Sequence, residues 1–337
     1  MKAPQAAPTA DAPSRTLTSP DYVLRKEPVQ LSVLPGYFHQ SEPSYNSSCD
    51  YLDQSFGLIE DGADRWQRLR QEVGRLNGEA SQGTSVKVFF FGRHGEGWHN
   101  VAERYYGTSE WDCYWSKQNG DGNMTWGPDA LLTDVGVQQA KRVHRAWKRE
   151  RLAGVPVPDS LYSSPLSRAA STCQITFDKL ALSSPRFMEI LRQVLLARRE
   201  TLGVHTCDKR QRKSWLMGAY PSFGFLEPFS EKDELWRPDV RESDAEQDRR
   251  SRMALDEIFS RDSAPFVSIT AHGGVIASIL RAVGHPPVQT QTGSVTPVVV
   301  KAVRSRSDIT ADSSAFVALP RQAASAGAAQ LVLDRSP

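Results

Sequence analysis

The chain is organised around the stretch Val-Lys-Val-Phe-Phe-Phe-Gly-Arg-His-Gly-Glu-Gly-Trp-His-Asn, which runs from Val86 to Asn100. Five of its first six residues are β-branched or aromatic, a composition that predicts a buried strand. Gly92 ends the apolar run, and Arg93 and His94 follow in the loop. Ligands of open α/β sheets bind outside the carboxyl ends of strands. An arginine beside a histidine at this position is therefore a candidate anion site with a nucleophile or base, and the alternative is an ordinary surface loop.

Two later segments have the same order of short apolar strand, polar loop and helix start. Residues 161–172 read Leu-Tyr-Ser-Ser-Pro-Leu-Ser-Arg-Ala-Ala-Ser-Thr, and residues 266–276 read Phe-Val-Ser-Ile-Thr-Ala-His-Gly-Gly-Val-Ile. The first of these loops holds Arg168, and the second holds His272. Together, the three predicted strand ends supply two arginines and two histidines.

In these segments the chain resembles the histidine phosphatase superfamily, which has the phosphoglycerate mutase-like fold. The resemblance extends over roughly residues 86 to 304. An Arg-His-Gly tripeptide alone carries little information, but three motifs in this order, each after a predicted strand, are specific. Those motifs are Arg93-His94-Gly95-Glu96 with Asn100, Ser164-Pro165-Leu166-Ser167-Arg168-Ala169 with Thr172, and His272-Gly273-Gly274.

The alternation of strands and helices predicts one α/β domain. The resemblance implies a three-layer phosphoglycerate mutase-like architecture, with a mostly parallel sheet, helices on both faces and an antiparallel edge strand. We expect this domain to cover residues 29–310, with inserts at 101–129 and 205–238. Residues 1–28 are poor in large apolar groups and are predicted to be disordered. Residues 311–337, rich in Ala and Ser, are predicted to be a loosely held tail.

Helical spacing of apolar residues predicts a helix from Asp64 to Asn77. Thr133 is expected to cap a second helix, whose other face is basic and is expected to be solvated. Ser243 and Glu246 have the spacing of a capping box at the start of a third. The segment from 29 to 60 has aromatic anchors but little periodicity, and we expect it to wrap the domain as an extended arm.

Two further strands are predicted on either side of the third motif. Val194 to Ala197 is expected to form a strand with Glu200 near its end, and Val295 to Val303 is expected to form the last one. The insert at 101–129 is dense in aromatic residues and turns. It is either a lid or substrate wall, or a satellite hydrophobic cluster under a long loop.

The overall composition is that of an ordinary soluble protein, with 39% hydrophobic residues, 24% charged residues and a formal net charge of +2. This balance argues against a dedicated nucleic-acid or membrane-surface binder. No apolar run approaches the roughly 18 residues that a membrane span needs, and the first residues lack the apolar core of a secretory signal. The four cysteines have no paired spacing, so we expect reduced thiols in a cytoplasmic protein.

Arginines and histidines suit the transfer of a phosphoryl group, because its charge accumulates on the equatorial oxygens. Arg93 and Arg168 are permanently charged and can each bind two oxygens. The resemblance implies that His94 is the nucleophile and becomes a phosphohistidine, and that His272 lies beside the phosphoryl group. It also implies that Asn100 supports the pocket by hydrogen bonding. The carbonyl of Gly95 could fix the tautomer of His94, and the helix that Gly273 opens could contribute amides to phosphate binding.

The leaving oxygen needs a proton, and the resemblance favours Glu200 as general acid and later as base for the attacking water. Glu96 and Asp208 are alternatives, and Glu200 could instead form an ion pair with a neighbouring arginine. Neither a metal nor a cofactor is expected, because acidic residues do not cluster with the histidines at ligand spacing in the sequence.

These observations predict a phosphatase that hydrolyses a phosphate monoester of a small metabolite. Mutases of this family place Arg-His-Tyr-Gly after the acidic residue, whereas Thr201-Leu202-Gly203 follows Glu200 in this chain. A phosphomutase, a biosynthetic enzyme and a non-catalytic binding protein that uses the same anion pocket remain alternatives. The expected partner is a small phosphorylated substrate, with no nucleic acid and no membrane.

Overall fold

The structure is a computed structural model, and it describes residues 29–45, 50–192, 204–240 and 242–304. The predicted disordered segment 1–28 and the predicted tail 311–337 lie outside the described residues. So does the predicted strand at 194–197, together with Glu200.

Within the described residues, seven strands form one sheet. They are β1 (Gln30–Val33), β2 (Thr84–Arg93), β3 (Ser160–Ser163), β4 (Arg186–Phe187), β5 (Gly224–Phe225), β6 (Phe266–Ala271) and β7 (Val295–Val303). The order across the sheet is β1-β7-β2-β6-β3-β4-β5. Every neighbouring pair from β2 to β5 is parallel, which confirms the predicted mostly parallel α/β sheet.

The expected antiparallel edge strand is β1, and its neighbour β7 runs antiparallel to the parallel set. Strand β7 pairs antiparallel with β2 on one side and with β1 on the other, so that Gln30 lies opposite Val303. Strand β1 comes from the segment that was expected to be an extended arm. The physical reason is that β7 is long and largely buried, and leaving it at the edge would expose a row of unpaired backbone groups. The short, half-exposed β1 covers that row.

Eight α-helices accompany the sheet within the described residues. They are α1 (Arg65–Gly78), α2 (Trp98–Tyr106), α3 (Thr108–Cys113), α4 (Asp134–Leu152), α5 (Ser167–Thr176), α6 (Lys213–Ala219), α7 (Asp244–Arg261) and α8 (Gly273–Ala282). None of the helices in this part of the chain is long and apolar enough to cross a membrane.

Helices cover both faces of the sheet, as predicted. Successive side chains of a strand point to opposite faces, so the two faces of β2 pack against different helices. On β2, Phe90 belongs to a core with Trp66 of α1 and Trp147 of α4. Its neighbours Phe89 and Phe91 belong to a second core with side chains of α7 and α8. The apolar run that defined β2 in the sequence is therefore the layer that both cores share.

The predicted helix starts are confirmed at Thr133 and Ser243. Thr133 Oγ1 accepts a hydrogen bond from the backbone N–H of Gly136, and Ser243 forms the expected capping box with Glu246. Helix α1 also lies within one residue of its predicted bounds. Asp64 precedes it but does not cap it, because its carboxylate binds the Arg68 guanidinium instead.

The first insert, 101–129, contains most of α2, then α3 and a short 3-10 helix. Its aromatic residues form a separate hydrophobic cluster around Trp111 and Trp126, which confirms the satellite-cluster interpretation. Buried Cys207 of the second insert belongs to the same cluster. The two inserts therefore pack against each other, and the Thr206 carbonyl accepts a hydrogen bond from the Asp129 N–H over 3.2 Å.

Asp129 connects the first insert to the start of α5. Its buried carboxylate accepts hydrogen bonds from the N–H of Ser167 at 2.8 Å and from the Ser167 hydroxyl at 2.7 Å. Burial raises the pKa of Asp129 to about 6, although the two hydrogen bonds from Ser167 oppose the rise. Ser167 directly precedes Arg168, so this contact fixes the backbone that carries a predicted site residue.

We expect the stability of the fold to depend on the protonation of Asp129. A carboxyl group whose pKa is raised by folding stabilises the fold below its unfolded pKa, and that contribution disappears as pH rises through the folded pKa. A rise from 3.8 to about 6 corresponds to about 3 kcal/mol. The free energy of unfolding of the wild type, measured relative to Asp129→Asn, should therefore decrease by that order between about pH 4 and about pH 7.

Chemical denaturation across this pH range measures the difference. Asp178→Asn, which removes an exposed carboxyl group near the end of α5, is the matched control. A constant difference between wild type and Asp129→Asn at every pH would contradict the assignment.

Candidate functional site

The carboxyl ends of β2, β6 and β3 lie side by side, and they bring the three sequence motifs together. Arg93 is in register with Ala271 of β6, and Thr270 is in register with Ser163 of β3. The chain leaves these strands at His94, His272 and Ser164, respectively. The rings of His94 and His272 are 5.0 Å apart between centroids. Motifs that lie far apart in sequence thus meet at the carboxyl ends of three neighbouring strands, as the strand pattern predicted.

His94 is fully buried, and its Nδ1 lies 2.7 Å from the backbone oxygen of Gly95. A carbonyl oxygen can only accept, so Nδ1 carries the ring proton and Nε2 has the lone pair. Nε2 has no hydrogen-bond partner within the described ranges. Burial, with Arg168 and Arg93 nearby, holds the pKa of His94 well below 6.5. The ring is therefore a neutral base or nucleophile with a fixed tautomer.

The Gly95 carbonyl is fixed because the loop packs directly on the first turn of α4. A Cβ atom on Gly95 would lie 2.3 Å from the backbone oxygen of Gly136, and one on Gly136 would lie 2.1 Å from that of Glu96. Either side chain would force the two backbones apart. The Gly95 N–H also donates to Thr172 Oγ1 of α5 at 3.0 Å. Sequence reasoning identified Gly95 but not its partner Gly136.

Arg168 is fully buried and Arg93 is half-buried, and both are only partly satisfied by the described protein groups. Arg93 Nη1 donates to the Thr290 carbonyl at 2.8 Å. Arg168 donates through Nη1 to the Cys207 carbonyl and through Nη2 to Asp208 Oδ1, each at 2.8 Å. Within the described segments, the Nε of each arginine has no partner. Burial and repulsion from Arg168 lower the pKa of Arg93, so a bound anion would relieve the strain between these charges.

His272 directly precedes α8, and its ring contacts residues at both other strand ends. Its Nε2 lies 2.8 Å from Ser164 Oγ, while Nδ1 has no partner in the part of the chain that is described. Burial and Arg168 hold the pKa of His272 well below 6.5. Gly273 begins the helix so close to Arg93 that a Cβ atom there would lie 3.4 Å from the guanidinium carbon. The structure therefore places His272 beside His94 and Ser164, and Gly273 beside Arg93.

Asn100 supports the loop of the first motif. Its Oδ1 accepts a hydrogen bond from the Gly97 N–H at 3.0 Å, within the first turn of α2. The observed contact lies within the loop itself, and the role of Asn100 in supporting a phosphate pocket stays a prediction.

The proton donor is the least defined group of the site, because Glu200 lies outside the described residues and stays a prediction. Of the two alternatives, Glu96 binds Arg104 and Thr133, each at 2.9 Å. The other, Asp208, binds Arg168. Sequence reasoning did not consider Glu103. Burial and the charge of Asp112 raise the pKa of Glu103, and the charge of Arg93 only partly opposes this rise.

His205, Cys207 and Asp208 bring potential metal-ligand atoms within 4.8 Å of one another, and all three residues are buried. The expectation that acidic residues do not cluster with a histidine is therefore wrong for this group. Local sequence spacing missed it because the 3-10 helix at Thr206–Asp208 folds the three side chains together. The Asp208 carboxylate already binds Arg168, and this buried positive charge opposes a cation at the same place.

His99 is the most prominent residue that sequence reasoning missed. It is 1% exposed on α2, and its ring lies 5.4 Å from that of His94 between centroids. The available signal was helical spacing, since His99 and Ala102 lie three residues apart and both face inward.

Comparison with known proteins supports the same assignment. A family model described as the histidine phosphatase superfamily (branch 1) matches residues 89–308. The "Probable phosphoglycerate mutase" of Arthroderma benhamiae is 43% identical over 287 residues, which cover 81% of this chain and 84% of that protein. The "Probable phosphoglycerate mutase PMU1" of Saccharomyces cerevisiae is 33% identical over 296 residues, which cover 81% of this chain and 96% of that protein.

Among solved structures, a phosphoglycerate mutase from Bacillus anthracis aligns with 15% identity and a TM-score of 0.41, over 68% of this chain and 96% of that one. The matched residues 89–308 include the Arg-His-Gly-Glu, Ser-Pro-Leu-Ser-Arg and His-Gly-Gly motifs. These three motifs lie together at the carboxyl ends of β2, β3 and β6. The chain belongs to the histidine phosphatase superfamily.

Proposed function

We propose that the protein is a phosphatase that hydrolyses a phosphate monoester of a small metabolite through a phosphohistidine on His94. The observation that carries this proposal is the state of His94. Its Nδ1 proton is held by the Gly95 carbonyl, and its Nε2 is buried beside two arginines and His272. A neutral imidazole with a fixed lone pair and adjacent cations is suited to attack on a phosphate dianion.

In the first step, Nε2 of His94 forms a bond to phosphorus while the ester P–O bond breaks. Arg93 and Arg168 neutralise charge on the equatorial oxygens, and the leaving oxygen takes a proton from the general acid, which we assign to Glu200. In the second step, water attacks phosphorus and gives its proton to the same carboxylate. The N–P bond breaks, and inorganic phosphate leaves with His94 neutral again. Each of these steps uses protein side chains alone, so we propose activity without a metal.

Phosphomutase activity is the second candidate, because relatives of this chain carry the name phosphoglycerate mutase. A mutase returns the phosphoryl group to a second hydroxyl, so it must hold the dephosphorylated intermediate and exclude water. The side chains after Glu200 are Thr201, Leu202 and Gly203, which offer little to grip an anionic intermediate. Incubation with 3-phosphoglycerate separates the candidates, since a mutase yields the 2-isomer and a phosphatase yields inorganic phosphate.

The first test concerns the covalent intermediate. Rapid quenching of wild-type protein with ³²P-labelled substrate should trap label that is acid-labile and base-stable, as expected for a phosphoramidate. His94→Ala should trap none, because the attacking nitrogen is lost. The reaction is run with and without a chelator, and equal labelling is expected. Full turnover by His94→Ala, or activity that needs an added divalent ion, would contradict the mechanism.

The second test concerns Arg168. We expect Arg168→Ala to lower turnover by about 10²-fold or more, because it removes a fixed charge from the transition state. Inorganic phosphate and vanadate should also inhibit more weakly. Arg145→Ala is the control, since Arg145 is exposed on α4. The measurements are kcat and the inhibition constants of phosphate and vanadate for the three proteins. Unchanged anion affinity in Arg168→Ala would show that Arg168 does not bind the anion.

The third test distinguishes the proton donor from residues that only position the site. An alkyl phosphate needs its leaving oxygen protonated, whereas nitrophenolate leaves readily without a proton. Glu200→Gln should therefore slow phosphorylation of His94 by about 10²- to 10⁴-fold with alkyl esters and much less with nitrophenyl phosphate. Asp208→Asn is predicted to slow both esters alike, because it weakens the hold on Arg168.

Pre-steady-state phosphorylation rates measure the two esters separately from hydrolysis of the phosphohistidine. Glu103→Gln extends the series to the other carboxyl group near Arg93. If Glu200→Gln slows both esters equally, Glu200 is not the acid. The variant that shows the leaving-group dependence then identifies the donor.

A further inference from the structure

His99 is a buried polar side chain whose hydrogen-bonding groups are not used by the described protein. Its ring is 1% exposed and lies beside that of His94. Neither Nδ1 nor Nε2 has a hydrogen-bond partner among residues 29–45, 50–192, 204–240 and 242–304. Buried side-chain polar atoms in native proteins nearly always have a partner. A ring with two unused nitrogens next to a nucleophile therefore indicates a site for a group that the described residues do not supply.

The position of the His99 ring is built into the loop of the first motif. A Cβ atom on Gly97 would lie 2.7 Å from His99 Nδ1 and 2.8 Å from Cε1, so the ring fits against this backbone only because residue 97 is glycine. The Gly97 N–H is in turn held by Asn100 Oδ1. The ring is therefore held beneath a loop that the neighbouring residues fix.

The charges around His99 favour an anion. The largest electrostatic effects on His99, and its own effect on His272, involve groups from four elements: Arg93 and His94 at the end of β2, Arg168 on α5, His205 at the second insert and His272 at the start of α8. None of these side chains carries a negative charge. Burial, followed by Arg168, holds the pKa of His99 well below 6.5, so the free ring is neutral and carries one N–H donor.

We propose that His99 is a third histidine of the phosphate site and donates a ring N–H to an oxygen of the bound phosphoryl group. The argument rests on the proposed function in one respect, namely that a phosphate group binds beside His94. It adds a binding residue that lies outside the three sequence motifs. An oxygen of the phosphoryl group is the acceptor that best matches a neutral donor among two guanidinium groups, because it also neutralises their charge.

Three substitutions test the donor. His99→Phe keeps a flat ring and removes both nitrogens, and it should weaken the affinity for inorganic phosphate and vanadate by about 10- to 100-fold. Asn places an amide near the position of Nδ1, and Gln places one near that of Nε2. One of His99→Asn and His99→Gln should therefore recover most of the affinity, which also identifies the nitrogen that donates.

The matched control is His285→Phe. His285 is also buried, but its Nε2 lies 3.0 Å from Ser41 Oγ and its Nδ1 lies 2.7 Å from the Pro286 carbonyl. Replacing it should lower thermal stability without changing the affinity for phosphate. This comparison separates loss of a ligand contact from the general effect of removing a buried histidine.

A measurement on the wild type does not depend on whether the variants fold. With ¹⁵N-labelled histidine, the ring signals of His99 should shift when vanadate or inorganic phosphate is added, and the signals of His285 should not. Unshifted His99 signals, or wild-type anion affinity in His99→Phe, would overturn the inference. In that case the proposed function still stands if labelled phosphate is trapped on His94. Absence of trapping in wild type, with shifted His99 signals, would instead reject the phosphatase mechanism.

Discussion

The site depends on one contact, the hydrogen bond from Nδ1 of His94 to the carbonyl of Gly95. It decides which nitrogen holds the proton and therefore which one can react. The contact depends on tertiary packing, because the Gly95 backbone is held between α4 and α5. Gly136 allows close approach on one side, and Thr172 accepts the Gly95 N–H on the other. The His94 N–H is bound in addition by the carbonyl of Ala271 at 2.9 Å. Two helices and the neighbouring strand thus fix the tautomer of one ring.

The two inserts serve the same site through Arg168. The first insert supplies Asp129, which binds Ser167 next to Arg168, and the second supplies the Cys207 carbonyl and the Asp208 carboxylate, which bind the guanidinium directly. The aromatic cluster around Trp111 joins the inserts to each other. A buried guanidinium has to be held by several groups at once, because any unpaired part of it is costly. The inserts therefore position an arginine of the site, whatever part they take in substrate selection.

Much of the fold was predictable because its signals are local. The apolar runs of β2 and β6, the cap at Thr133 and the capping box at Ser243 each depend on a few adjacent residues. The places that escaped prediction depend on distant partners or on very short elements. Strand β1 forms only because β7 offers an edge, and β4 and β5 have two residues each, too few for a periodic pattern.

The residues of the candidate site likewise fall into those with a local sequence signal and those that depend on distant partners. Its motif residues Arg93, His94, Arg168 and His272 follow strands that the sequence marks clearly. Asp129 and His99 lie outside those motifs, and the pairing of Asp208 with Arg168 joins residues 40 apart. The contacts of Asp129 and Asp208 are set by packing of the inserts against α5, which leaves no spacing rule in the sequence, whereas the burial of His99 on α2 follows helical spacing.

Burial also explains how a chain with a formal net charge of only +2 can contain a strongly cationic pocket. Net charge is a sum over the whole chain, whereas the field at His94 comes from the nearby guanidinium groups of buried Arg168 and half-buried Arg93, where charges interact more strongly than in water. The same burial keeps His94, His99 and His272 neutral, since protonating any of them would add a charge beside Arg168. A bound dianion would compensate the positive charge of the two guanidinium groups. The pocket thus combines permanent charges that attract an anion with neutral bases that remain able to react with it.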